Sequence, residues 1–322
     1  MKSGQITNLF FCRTPLQVKI INKILEQING NHFIIYHPAG NGKKHRYYFA
    51  QLDTNQKYFL RYYNIRFLNN FLDFIYFYFL PKKIRQQKYK NFFFASITSS
   101  LLSMLERRVE NKDLNLFDDG SFNINKKFFF EYINLASTAR INSFIRKLFN
   151  LKSPNQLIEN ISCHYSIYDK KYTEWMNCEH RKINILAPIY IESYKKIRVL
   201  LGSTDDLISA EFESLINSDK FDIFLPHPDS CKNFWIKSNL KEDFKKINFT
   251  DLIVEDLIYQ IIKKGYNPTV YGFHSTAIIN LSPYINTVCF SSYTMPESIE
   301  ISNVKAINSF GIKRIVLDKP NS

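Results

Sequence analysis

Asn8-Leu9-Phe10-Phe11-Cys12 reads as a buried strand that stops at Arg13-Thr14-Pro15. Leu16, Ile20, Ile21, Ile24, Leu25 and Ile28 then recur at helical spacing. Thr14 ahead of Pro15 has the form of an N-cap with proline at the first helical position. Gly30 closes the helix, and His32 to Tyr36 supplies a second strand. Strand, helix and strand in immediate succession call for a parallel sheet covered by helices. The first turn carries no GxGxxG, so it is not a dinucleotide fingerprint.

The pattern continues along the chain. Lys43 to Arg46 is a basic cluster expected on a loop, and an aromatic, helical middle is expected from about Asn55 to Leu80. A strand follows at Asn91–Ser96, a helix at Ser99–Val109 and a strand at Asp113–Phe117. Phe128 to Leu148 reads as a helical stretch able to pack against a second copy of the chain. Residues 151 to about 194 are less regular, and their His164, His180, Cys163 and Cys178 match no metal-ligand spacing. A second series then opens with the strand Ile197–Leu201, followed by the strand Phe221–Leu225 and the helix Leu252–Ile262, with Gly265 as C-cap. The strand Thr269–Phe273, the helix Ala277–Leu281 and a final strand Asn286–Phe290 complete it. Two such series imply an α/β chain of two Rossmann-like domains facing a cleft, at 1–190 and 191–322, the first with a helical insertion.

The 322 residues suffice for two cores. Lys and Arg number 43 against 29 Asp and Glu, a net charge of +14 that favours anionic partners. Neither zinc-finger spacing nor an RNP-like aromatic motif accompanies that charge, so nucleic acid is not the expected partner. The five cysteines are scattered and odd in number, which argues against a disulfide framework and a structural zinc site. No signal sequence opens the chain, so a cytoplasmic location is expected. Phe67 to Leu80, broken by Asn69, Asn70 and Asp73, is too short and polar to span a bilayer. With Lys82, Lys83 and Arg85 behind it, the segment fits either a core helix or an anionic membrane surface.

Three strand exits carry the candidate chemistry, since ligands of open α/β sheets bind at the carboxyl ends of strands. The first delivers Asp118-Asp119-Gly120, which is both ordinary turn chemistry and a carboxylate pair suited to general-base work or to holding a cation. The second is Phe224-Leu225-Pro226-His227-Pro228, an imidazole on stiff backbone able to protonate or hydrogen-bond a departing phosphate. The third is Gly272 with Ser275 and Thr276 at a helix start, which serve as N-cap or as phosphate ligands. Asp205 and Asp206, after the Leu200-Leu201-Gly202 turn, are alternatives for the base, and equally suit a helix start. An opposed base and donor group fit inverting glycosyl transfer, and without a DxD motif a metal-independent mechanism is preferred.

Together, Asn8 to Gln17, Asp118-Asp119-Gly120, His227-Pro228 and Ser275-Thr276 resemble the bacterial sialyltransferases of glycosyltransferase family 52, the lipooligosaccharide group. The resemblance implies a GT-B fold, with the acceptor handled by the first domain and CMP-sialic acid by the second. It implies Asp119 as base with Asp118 in support, His227 facing the donor phosphate, Ser275 and Thr276 on the same phosphate, and Pro228 shaping the nucleotide pocket. No cofactor or metal is expected; the resemblance further implies a lipid-linked surface glycan (lipooligosaccharide or capsule) as acceptor, peripheral attachment to the inner face of the cytoplasmic membrane, and a homodimer.

Overall fold

The computed structural model describes residues 8–40, 42–61, 75–80, 82–86, 88–124, 126, 129–131, 133–134, 146–186, 195–202, 210–227, 232–273, 275–291 and 307–317. The chain divides into two compact units, Met1–Ile185 and Leu186–Ser322.

The first unit is built on a parallel sheet of β1 (Asn8–Cys12), β2 (His32–Tyr36), β3 (Lys57–Phe59), β4 (Tyr89–Phe94), β5 (Val109–Phe117), β6 (Ile161–Ser166) and β7 (Glu179–Lys182). Their order across the sheet is β3-β2-β1-β4-β5-β6-β7, which reverses direction between β1 and β4. Every residue of β1 is buried, as a central strand covered on both faces requires. Leu9, Phe11, Phe33, Ile35, Phe92, Phe94, Leu114 and Leu116 alternate onto one face and pack with Leu101, Leu102 and Leu105 of the Ser100–Glu106 helix. On the other face Phe10 stacks on Phe93 with ring centroids 4.4 Å apart. Each such side chain contributes about 1.5–3 kcal/mol by leaving water. The strands' starting ends are pinned by polar pairs. Asn8 is in register with both His32 and Asn91, donates to the Asn29 carbonyl at 3.2 Å, and accepts from Asn91 Nδ2 at 2.7 Å.

The βαβ opening forms as expected. Thr14 caps the helix Pro15–Leu25, and Gln17 completes a capping box with it. Four expectations are corrected. Lys43 to Arg46 begins a helix, Lys43–Ala50, rather than lying on a loop; the hydrogen bond of 2.6 Å between Tyr36 Oη and His45 Nδ1 and the burial of Tyr48 tie that helix down. Within the stretch read as helical, Lys57–Phe59 is instead a strand beside β2, with Phe59 stacked on Tyr36. The helix expected over Ser99–Val109 stops at Glu106, because Val109 pairs with Tyr89 and starts β5. The region 151–194 contains β6 and β7, which extend the sheet. Residues 62–74, which include Phe67 to Phe74 of the apolar segment, lie outside the described residues.

The second unit carries β8 (Lys195–Leu201), β9 (Ile223–Leu225), β10 (Trp235–Ile236), β11 (Tyr266–Gly272), β12 (Thr287–Ser291) and β13 (Lys313–Val316), in the order β10-β9-β8-β11-β12-β13. All pairings are parallel except that of β10 with β9. The order reverses between β8 and β11, and Leu200, Phe221, Phe224, Phe273 and Phe290 form the core beside them. The helix Val254–Lys263 ends before Gly265, whose φ of 83° is the left-handed conformation of a helix stop. Asn286–Phe290 is not the final strand, since β13 adds an edge beside β12. Neither β13 nor the two-residue β10 has a run of apolar residues long enough to announce it.

Candidate active site

The exits of β1, β4, β5 and β6 converge on the two adjacent carboxylates, and they treat them differently. Asp118 is fully buried. Its Oδ1 accepts from His164 Nε2 at 2.8 Å and Asn123 Nδ2 at 3.2 Å. Its Oδ2 accepts from Ser166 Oγ at 2.8 Å and from the Ile167 backbone N–H at 2.7 Å. The register makes this possible: Leu116 lies beside His164 and Phe117 beside Tyr165, so β5 and β6 release their loops at the same level. With four donors on two oxygens, Asp118 clamps the β5 exit to the β6 exit. Gly120 follows at a φ of 62°, which a residue with a side chain rarely adopts, and it turns the backbone immediately after Asp119.

Asp119 is the partly exposed member of the pair. Gln17 Nε2 donates to its Oδ1 at 2.6 Å and Ser96 Oγ to its Oδ2 at 3.0 Å. Surrounding protein raises its proton affinity above that of an ordinary carboxyl by desolvation, and the charge of Asp118 adds to this. The hydrogen bonds of Ser96 and Gln17 and the nearby Arg13 cation work in the opposite direction without cancelling it. The product is a positioned carboxylate with strengthened basicity, at the point where the strand order reverses.

In the second unit, the exits of β8 and β9 bring Gly202 against His227, and the exit of β11 sets Gly272 against Leu201 ahead of Ser275. Gly202 donates its backbone N–H to the Leu225 carbonyl at 2.7 Å. A Cβ on Gly202 would come within 2.8 Å of the His227 nitrogen and 2.9 Å of the Pro226 Cα. Only glycine therefore lets the loop bearing His227 lie against the end of β8. His227 itself is partly exposed. At Gly272 a Cβ would meet Leu201 Cβ and Ile278 Cδ1, each at 3.1 Å, so this glycine closes the packing of β11 on the helix Thr276–Leu281. Ser275 caps that helix, its hydroxyl accepting from the Ala277 N–H at 3.2 Å, and Thr276 is its first residue. Pro228, Asp205 and Asp206 lie outside the described residues.

The sequence profile of glycosyltransferase family 52 matches residues 18–289. The chain belongs to that family. It is therefore an enzyme of glycosyl transfer. A Neisseria meningitidis protein named N-acetyllactosaminide alpha-2,3-sialyltransferase is 24% identical over 95% of this chain and 84% of its own length. A Pasteurella multocida protein named CMP-N-acetylneuraminate:beta-galactoside alpha-2,3-sialyltransferase is 27% identical over 85% of this chain and 87% of its own. Among solved structures, the glycotransferase of kitacinnamycin superposes with a TM-score of 0.51 at 8% identity, over 100% of this chain and 88% of that one. A UDP complex of Staphylococcus aureus MnaA gives 0.51 at 8% identity, over 95% and 87%. These likenesses, with the two parallel sheets, show a GT-B fold of two Rossmann-like units.

Sequence reasoning on this family 52 member assigns no role to Gln17, Ser96, His164, Ser166 or Gly202, although all five position the two motif loops. Gln17 alone carries a readable signal, the Thr-x-x-Gln spacing of a capping box. His164 is missed because the pattern of its stretch does not announce β6. Of the stretch 128–148, considered for subunit contact, only 129–131, 133–134 and 146–148 are described, all helical.

Proposed function

We propose that this family 52 enzyme moves sialic acid from CMP-sialic acid to a terminal galactose hydroxyl of a bacterial surface glycan, forming an α2,3 linkage by inverting, metal-independent transfer. The observation that carries the reading is the match, over most of both chains, to relatives named alpha-2,3-sialyltransferases. Their names supply the linkage, the galactoside acceptor and, for one of them, the CMP donor.

The residues take these roles. Asp119 accepts the proton of the attacking hydroxyl. The resulting oxygen bonds to the anomeric carbon as the bond from that carbon to the phosphate oxygen of CMP breaks on the opposite face, which inverts the centre. CMP leaves with the bonding electron pair, and His227, Ser275 and Thr276 donate hydrogen bonds to its phosphate, with Pro228 against the nucleotide. Metal independence is supported by the carboxylate pair itself. Four protein donors already occupy the oxygens of Asp118 and two those of Asp119, a poor arrangement for a cation that needs several open oxygen ligands.

Attachment to an anionic membrane surface belongs to the same proposal. Tyr78 and Phe79 are 52% and 75% exposed, Lys82, Lys83 and Arg85 follow in sequence, and the whole chain is strongly cationic. Among the described residues, no helix is long and apolar enough to cross a membrane.

Thermal unfolding with a panel of nucleotides tests the donor. Saturating CMP is expected to raise the midpoint by about 5 °C, while UDP, GDP and AMP leave it within about 1 °C. A shift with UDP or GDP in place of CMP would favour the second reading, the same fold with another nucleotide-sugar donor. The absence of any shift would overturn the assignment of a nucleotide-sugar donor of these kinds.

A further inference from the structure

The helix Lys43–Ala50 starts at the wrong end for its charge. It opens on Lys43, Lys44, His45 and Arg46 with no acid in the first turn, although a helix start is the positive end and favours carboxylates. Another cation stands beside it. The loop after β2 is laced to the loop after β1, the His37 N–H donating to the Cys12 carbonyl at 2.8 Å and the Ala39 N–H to the Arg13 carbonyl at 3.1 Å. Arg13 thereby comes close enough for its charge to act on His45. Its Nε is buried and has no hydrogen-bond partner among the described residues. Buried donors are nearly always satisfied, so an orphaned one calls for an acceptor from outside the chain. The oxygens of Asp119 do not serve, being taken by Gln17 and Ser96.

His45 offers a second donor. Tyr36 Oη lies 2.6 Å from His45 Nδ1 and has no other acceptor among the described residues. Burial holds the Tyr36 phenol protonated, and burial with the Arg13 charge holds His45 neutral. The phenol therefore donates to Nδ1, and the ring proton sits on Nε2. That edge of the ring faces two glycines: a Cβ at Gly40 would stand 3.7 Å from Nε2, and one at Gly42 3.9 Å from Cδ2. Neither carries a side chain to cover it, and Nε2 makes no hydrogen bond among the described residues. Lys43, exposed at the helix start, adds a mobile charge.

We propose that Arg13, Lys43 and His45 form an anion site of the first unit, which takes a phosphate or carboxylate carried by the acceptor glycan. The site lies at the carboxyl ends of β1 and β2, and the Arg13 charge also reaches Asp119 across the point where the strand order reverses, the place where open α/β sheets hold ligands. The assignment to the acceptor rests on the proposed transfer reaction, whereas binding of the anion does not.

The test is thermal unfolding of the full chain under saturating CMP, which fills the donor phosphate site, titrated with inorganic phosphate against chloride at equal ionic strength. Phosphate is expected to raise the midpoint further and chloride is not. Arg13→Gln should weaken the apparent phosphate affinity roughly tenfold or more and Lys43→Gln about threefold, each with an unchanged response to CMP. Lys43 is exposed, so its variant keeps the fold should Arg13→Gln lose it. No rise beyond that with chloride, or a rise that both variants retain in full, would overturn the site. Acceptor kinetics test the occupant. With a galactoside bearing a phosphate or a carboxylate, Arg13→Gln is expected to raise KM about tenfold, and with a neutral galactoside to leave it within about twofold. Equal changes on both acceptors, or loss of binding to phosphatidylglycerol vesicles in Arg13→Gln, would overturn the glycan assignment. Phosphate binding without transfer to any acceptor would sink the transfer reading and the glycan assignment with it, while the anion site stands.

Discussion

Asp119→Asn is expected to lower turnover by about 10²–10⁴-fold while the protein keeps its thermal midpoint and its response to CMP. The surroundings accept asparagine without rearrangement. Gln17 cannot flip, because its Oε1 is held by two backbone donors, so it continues to donate to the asparagine oxygen. Ser96 carries a hydroxyl, which can turn to accept from the new amide instead of donating to a carboxylate. What disappears is the lone pair that takes the acceptor's proton. In the unsubstituted enzyme, burial raises the proton affinity of Asp119, and in the proposed role the deprotonated form is the active one. Activity therefore falls as pH drops through a value above the ordinary carboxylate range of about 4, a limb that Asp119→Asn no longer shows. Steady-state rates across pH, together with the melting curve, check both halves. Near-normal turnover in Asp119→Asn would move the base to another acid, with Asp205 and Asp206 next in line.

The second large effect is expected at His227. His227→Ala should reduce turnover by about 10²–10³-fold and abolish most of the CMP-dependent rise in thermal midpoint. The loop is set by backbone, through the Gly202–Leu225 hydrogen bond and the absence of a side chain at Gly202. Truncating the imidazole should therefore leave its course intact while removing the proposed donor to the phosphate. The melting curve without ligand checks this, since it should be unchanged within about 1–2 °C. A variant that still responds fully to CMP would place the nucleotide phosphate elsewhere.

Much of this is legible in the chain itself. Strands buried on both faces are apolar runs, so β1, β2, β9 and the Phe92–Phe94 half of β4 announce themselves, and a capped helix after β1 points to the parallel topology. The motif loops stand out because each follows such a run. The second layer of the site is hidden for definite reasons. His164 and Ser166 belong to β6, where the polar and apolar residues of Ile161–Ser166 are all drawn inside apart from Ser162, so the strand has no clean alternation. Gln17 is readable as a capping-box residue, but only the folded sheet brings it to Asp119. The difference between Asp118 and Asp119 is equally invisible, because adjacent residues leaving a strand face opposite ways and only one faces the β6 exit.

The most direct measurement is transfer itself: purified enzyme, CMP-sialic acid and a β-galactoside acceptor, with chelator present, followed by released CMP and by the linkage and anomeric configuration of the product. The account predicts stoichiometric CMP and an α2,3-sialylated galactoside whose anomeric configuration is inverted relative to the donor, all lost in Asp119→Asn. Transfer only from a uridine or guanosine donor, or product of retained configuration, would contradict it.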